Sequence, residues 1–413
     1  MSVALQTAQE AQTSAGYDGK SVPGSATDRL HAKPLPVEFT ASGSEYFRIW
    51  IVNLLLTLVT LGLYFPWAKV RRLRYFYSNT LIDSHPLYFH GDPRQMFKGF
   101  LLVVVGFILY SVAGRFSPIA ALGAFIVVAL LWPALARLSM RFRMRNTSWR
   151  GLRFSFLGST DAAYAAWIPV FIPSAGFLIL ALLAPELLDP DPTRHASKAI
   201  QVTLAALFFC SLVFFPWALF RLKAYQHQNY CYGRETSVFT AKVKDYYWIS
   251  VKSLAVILLV FIALLSVIFI GVFGLQGFQK DFSELAVNGA AVFVFIFIGL
   301  IAGSFFISLL QPYFVTRFQN LIWNKTHTQS VQFSSTLPLW PMFKLTFKNW
   351  VLIVLTLGLY WPFAHVAMTR LRLEAVALQF NEDPALWTAA APQAPGTAIG
   401  DLSSDFFDFD VGL

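Results

Sequence analysis

This chain has little charge and almost no cysteine. Only 13% of its 413 residues are charged, against 56% that are hydrophobic, which leaves too few polar side chains to cover a water-soluble domain of this length. The two cysteines, Cys210 in an apolar run and Cys231 in a basic segment, frame no structural disulfide. There is no GxSxG, no phosphate-binding loop and no GxGxxG after a strand, so acyl-transfer and nucleotide chemistry lose their usual markers. His227 with Cys231 and His85 with His90 are isolated pairs without the companion ligands a zinc site needs. No enzyme activity, cofactor or metal is expected. No Asp, Glu or His stands in the middle of a long apolar run, which argues against proton coupling through a buried carboxylate.

What the chain does have is oil in runs of membrane-crossing length. Segments 97–114, 117–136, 161–184, 199–219, 247–273 and 289–311 each approach the ~20 residues needed to cross about 30 Å of hydrocarbon. Two shorter runs, 49–65 and 350–364, are ambiguous. The net charge of +10 lies in connections such as 67–98, 137–160, 221–245 and 313–348, whereas 185–198 and 275–288 mix acids with few bases. That distribution reads as topology rather than nucleic-acid binding, with the basic loops in the cytoplasm against a bilayer with anionic head groups.

The exits from the apolar runs resemble one another: YFPWAKVRRLRYFYSNT, LWPALARLSMRFRMRNT, FFPWALFRLKAYQHQNY, LQPYFVTRFQNLIWNKT and YWPFAHVAMTRLRLEAV. Each opens at a proline (Pro66, Pro133, Pro216, Pro312, Pro362) and continues to an arginine (Arg71, Arg137, Arg221, Arg317, Arg370). Four reach a turn asparagine, Asn79, Asn146, Asn229 or Asn324. The proline loosens the helix ladder at the head groups, the arginine lies along phosphates, and the asparagine suits a helix end. Short strands centred on Phe39, Phe89, Phe156, Phe239 and Phe333 precede the runs.

Placing strands and exits on one cytoplasmic side leaves room for two spans in each of the three middle units and for little more than one in the first and last. The expected fold is an all-α polytopic membrane protein, with six full transmembrane helices as three tandem hairpin repeats, two shorter flanking membrane segments, and short cytoplasmic β-strands between repeats. Three such hairpins predict pseudo-threefold symmetry. The alternative is eight spans with both termini outside. Residues 1–36 read as a disordered tail without signal-peptide order, 37–379 as the membrane domain, and 380–413 as a flexible tail ending in SSDFFDFDVGL. That ending suits an added strand or a disordered acidic tail.

The stretch EYFRIWIVNLLLTLVTLGLYFPWAKVRRLRYFYSNTLIDSHPLYFHG resembles the opening repeat of the YjgN-like family of bacterial inner-membrane proteins, which carry a domain of unknown function. The resemblance runs from about Val37 to about Gln379. It implies a multi-pass protein of a Gram-negative inner membrane and implies no reaction; the six-span reading puts both termini in the cytoplasm. The last exit departs from the pattern by having no matching asparagine. Function then divides between a membrane scaffold or lipid-interacting protein, its protein partner unknown, and a channel or transporter for a small, possibly anionic solute. An axis plugged by apolar side chains favours the first.

Overall fold

The computed structural model describes residues 34–184, 197–274, 305, 308 and 310–381. β1 (Leu35–Pro36) and β2 (Glu38–Phe39) lead into α1 (Gly43–Val59) and α2 (Phe65–Ser78); β3 (Thr80–Ile82) and β4 (His85–Phe89) lead into α3 (Pro93–Phe116) and α4 (Pro118–Arg145). β5 (Thr147–Trp149) and β6 (Leu152–Phe156) precede α5 (Thr160–Leu183) and α6 (Lys198–His227). β7 (Tyr230–Tyr232), β8 (Glu235–Thr236) and β9 (Val238–Phe239) precede α7 (Val243–Gly274). A helix over 310–324, α8, is followed by β10 (Thr326–His327), β11 (Val331–Ser335), α9 (Leu339–Leu355), α10 (Trp361–Glu374) and β12 (Val376–Phe380).

The expectation of an all-α protein understates the strands. Every pairing among the described residues is antiparallel. One sheet runs β1-β12-β11-β10-β9 and the other β2-β3-β4-β5-β6-β7-β8. β1 and β2 are consecutive through Val37, whose N–H donates to Val376 O at 2.9 Å, and β8 and β9 through Ser237, whose N–H donates to Tyr230 O at 2.8 Å. The two sheets therefore join at both ends into one closed ring, which leaves no open edge strand among the described residues. Strands of two to five residues are too short to show an alternating pattern in sequence. The first begins at Leu35 and the last ends at Phe380, so the ring reaches slightly beyond the expected 37–379 domain at both ends.

Apolar side chains pack inside the ring. Leu87, Trp149, Tyr232, Val331, Leu378 and Phe380 belong to one buried cluster. Trp149 on β5 stacks on Phe380 on β12 with ring centroids 5.9 Å apart, although those strands are not neighbours, so the contact crosses the interior. The Tyr232 hydroxyl donates to Trp149 O at 2.8 Å. Burial pushes that phenol up to about 12, which keeps it a donor at physiological pH.

One backbone hydrogen bond recurs five times. The N–H groups of Thr40, His90, Leu157, Thr240 and Thr336 donate to the carbonyls of Asn79, Asn146, Asn229, Lys325 and Ala375 at 2.8 to 3.0 Å. Each joins the residue just after a strand to the residue thirteen past an exit proline. Wherever the chain leaves the ring, it returns to the point of departure. The arrangement goes round in five, where three hairpins of equal rank predicted three.

The excursions differ in length. Four helices, over Pro93–Arg115, Ile119–Arg145, Thr160–Leu183 and Lys198–His227, are long and apolar enough to cross a membrane, and they take in the expected spans from 97 to 219. The expected span 247–273 lies within the 32-residue α7, while 289–311 falls almost wholly outside the described residues. The two short runs are helical hairpins. α1 with 17 residues rises about 25 Å, short of the ~30 Å hydrocarbon core, and α2 turns back.

The turn at the tip explains why it turns back. Leu61 and Gly62 have φ of 50° and 92°, and the Gly62 N–H donates to Thr57 O at 2.7 Å, a glycine-closed helix end. Leu357 and Gly358 repeat this with φ of 51° and 93° and a 2.8 Å bond from the Gly358 N–H to Ile353 O. The tip leucines are 94% and 91% exposed, as apolar side chains are when their solvent is lipid.

Four of the five exit helices also grip the next unit. Arg74 on α2 donates to Gly91 O at 3.0 Å, Arg137 on α4 to Gly158 O at 2.6 Å, and Arg370 on α10 to Ala41 O at 2.6 Å. Asn320 on α8 donates likewise to Leu337 O at 3.0 Å. All four acceptors lie two residues past a strand, where the chain turns toward the membrane. Removing such a donor strands a carbonyl, so Arg137→Ala is expected to cost about 1–3 kcal/mol and to lower the thermal unfolding midpoint in detergent. Arg71→Ala, at an exposed position, is expected to change stability by less than about 0.5 kcal/mol. Equal shifts would contradict the clamp.

Candidate functional site

The residues singled out in the sequence do structural work at several places. All five exit prolines are buried. Pro66 and Pro362 sit in the first turn of α2 and α10, where a missing N–H costs nothing, whereas Pro133 and Pro216 lie inside α4 and α6. Asn79, Asn146 and Asn229 donate from Nδ2 to the carbonyls of Tyr75, Phe142 and Tyr225 at 2.7, 3.0 and 2.7 Å, satisfying the end of each helix. Asn324 stands one residue short of that register. It brackets Ser335 instead, accepting from its N–H at 2.7 Å and donating to its carbonyl at 3.1 Å. Ser335, not Phe333, is the counterpart of Phe39, Phe89, Phe156 and Phe239, being the strand residue just before Thr336.

The five arginines do not ring one opening. Arg137 and Arg370 are clamps, and Arg221 donates to Ala165 O at 2.9 Å on the facing helix α5. Arg317 is exposed above the Tyr313 ring at 5.4 Å, and Arg71 is exposed on α2. Outside the helices, burial foremost, with the Arg153 and Arg74 cations behind it, lowers the pKa of His90, so its ring favours the neutral form. Its Nε2 lies 2.7 Å from Ser148 Oγ.

A cavity of about 530 Å³ lies among α2, α4, α8, α9 and α10. It runs from Ile353 and Trp361 at the tip of the last hairpin to Thr80 and Leu87 at the strand ring. Arg72, Arg143, Arg372 and His365 line it, and no Asp or Glu does among the described residues. Arg372 is fixed by a reciprocal pair, its Nε donating to Gln319 Oε1 at 3.0 Å while Gln319 Nε2 donates to Arg372 O at 2.8 Å. His365 packs edge-on against Phe76 at 4.8 Å and tilted against Trp361 at 5.0 Å. Asn349 is 4% exposed; its Nδ2 donates to Ala364 O at 3.5 Å, and its Oδ1 has no hydrogen-bond partner. A second cavity of about 200 Å³ lies inside the strand ring, with Tyr77 and Leu87 lining both. Its wall is mainly aromatic and aliphatic, with Trp149, Phe154, Tyr232, Trp323 and Phe380.

Sequence reasoning chose the neighbours of the cavity arginines. At ~100° per residue, positions three, six or seven and ten past the exit proline share a face, which holds Arg72, Arg143, His365 and Arg372. Positions four and eight form the clamp face of Arg74, Arg137 and Arg370. That phase could have been read from the aligned exits.

The chain matches, over residues 34–406, the model of a family described as bacterial protein of unknown function (DUF898). It is 31% identical over 149 residues to the inner membrane protein YjgN of Salmonella typhimurium, covering 35% of this chain and 38% of that protein. It is 28% identical over 191 residues to the inner membrane protein YjgN of Escherichia coli K12, covering 45% and 46%. The matched stretch thus spans less than half the length of these relatives. No solved structure matches. With a family model covering most of its length and helices able to span a bilayer, the chain belongs to the DUF898 family and is an inner-membrane protein.

Proposed function

We propose that this protein is a non-catalytic, lipid-interacting scaffold of the inner membrane rather than a channel. The observation that carries the reading is the aromatic interior of the strand ring, where Trp149 contacts both Tyr232 and Phe380 and the remaining space has an apolar wall. A polar solute passing from the arginine-lined cavity toward the far end of the ring would have to shed its water into an aromatic core, which is costly. The long helices meanwhile present broad apolar faces, and the exits present arginines and aromatics at head-group level. The partners are the bilayer and its anionic head groups, without nucleic acid.

The finer architecture we read is six spans as three long hairpins, with the α1–α2 and α9–α10 hairpins re-entering from the cytoplasmic side. Support comes from the bonds from Thr40 to Asn79 and from Thr336 to Ala375, which hold the two ends of each short excursion together. An eight-span chain would separate those ends by a bilayer.

Two measurements test these readings. Purified protein in liposomes is expected to pass no chloride, phosphate or small neutral solute faster than empty vesicles; reproducible flux of any one of them refutes the scaffold. In a background with Cys210→Ala and Cys231→Ala, a cysteine at Tyr88 should react with a charged maleimide only from the cytoplasmic face. One at Leu61 should resist it from both faces, and labelling of Leu61→Cys from the periplasm would establish eight spans.

A further inference from the structure

The two short hairpins stand side by side. Phe47 on α1 stacks on Phe363 on α10 with ring centroids 5.5 Å apart, and Trp50 meets Trp361 at 6.3 Å. On the other flank, Phe65 on α2 meets Phe100 on α3 at 6.0 Å. From that contact α3 continues to Phe116, sixteen residues or about 24 Å of helix. The short hairpin reaches its turn at Leu61, four residues or about 6 Å from Phe65, so the long hairpin overtops it by about 18 Å. The charges give a matching depth. No Asp, Glu, Lys or Arg stands between Arg48 and Lys69 around the first tip, or between Lys348 and Arg370 around the second. Each apolar stretch folds back on itself into two arms of about ten residues, or about 15 Å, half of the ~30 Å hydrocarbon core. Asn53 and Asn349 tie the arms together, donating to Ala68 O at 3.4 Å and Ala364 O at 3.5 Å. Around the tips Leu58, Val59, Leu61, Leu355 and Leu357 are exposed, an apolar surface that needs apolar cover.

We propose that the protein is a membrane wedge: acyl chains of the cytoplasmic leaflet cover the tips of its two short hairpins, and the molecule favours membrane that is convex toward the cytoplasm. This inference rests on the six-span, lipid-interacting reading above and makes it specific. Five hairpins enter the cytoplasmic leaflet and three continue into the periplasmic one, so the chain displaces four more helix cross-sections on the cytoplasmic side. At about 10 Å per helix diameter the excess is about 300 Å². A bilayer relieves such an imbalance by bending until the crowded leaflet is the outer one, the reason that elements inserted into one leaflet respond to curvature. Because the short hairpins are neighbours, the whole excess falls on one flank of the round.

The test is the sorting of full-length protein between a giant vesicle of phosphatidylcholine with phosphatidylglycerol and a nanotube pulled outward from it. In the cysteine-free background, Tyr88→Cys is labelled with an impermeant fluorescent maleimide. Dye added outside marks molecules whose cytoplasmic face points outward, and dye enclosed in the vesicle marks the opposite orientation. The protein-to-lipid ratio of tube over vesicle is expected to rise above one for outward-facing molecules as the tube narrows, and to fall below one for inward-facing molecules. The reversal of sign needs no variant that might misfold. Equal ratios for the two orientations, or depletion of outward-facing molecules from the tube, would overturn the proposal. Periplasmic labelling of Leu61→Cys refutes the six-span reading and the wedge with it, whereas tips protected from both faces without orientation-dependent sorting refute the wedge alone.

Discussion

Everything in this molecule depends on one constraint: its strands pair into a single closed ring, so each excursion into the bilayer must end where it began. Backbone groups at the ring have no spare partner to lose. The strand after each return pairs with the strand before the next departure, and the first strand pairs with the last through Leu35 and Leu378. On the proposed six-span reading, an excursion crosses the membrane twice or not at all: the long hairpins cross and the short ones re-enter. The paired left-handed residues Leu61–Gly62 and Leu357–Gly358 give the short hairpins a tight reversal.

Much of this was legible in residues that repeat. The exit prolines and the asparagines at 79, 146 and 229 mark where the chain rejoins the ring. Two readings slipped by small amounts. Asn324 is one residue out of phase because Lys325 occupies the equivalent place, and Phe333 is two residues early because Ser335 does. Ring closure was not legible, since Leu35 and Leu378 are far apart in the chain and the strands are too short to carry a period. The five exits and strands were legible, but their unequal excursions led to an expected threefold symmetry in place of a round of five. The cavity arginines were missed because arginine was read as a residue type near a proline, whereas its phase on the helix decides whether it clamps a carbonyl or faces the cavity.

The arginines divide between two faces of the exit helices. Arg74, Arg137 and Arg370 bind carbonyls of the next unit and hold the round together. Arg72, Arg143 and Arg372 line the larger cavity instead.

The closure of the ring is tested most directly by joining its ends. In the cysteine-free background, Leu35→Cys with Leu378→Cys, opposite one another in the β1–β12 pair, should form an intramolecular disulfide in native membranes under mild oxidation. The product should be a monomer of increased gel mobility that reverts on reduction. Disulfides formed only between separate chains, or none while each single cysteine remains reactive, would show that the ends do not meet and that the ring is open.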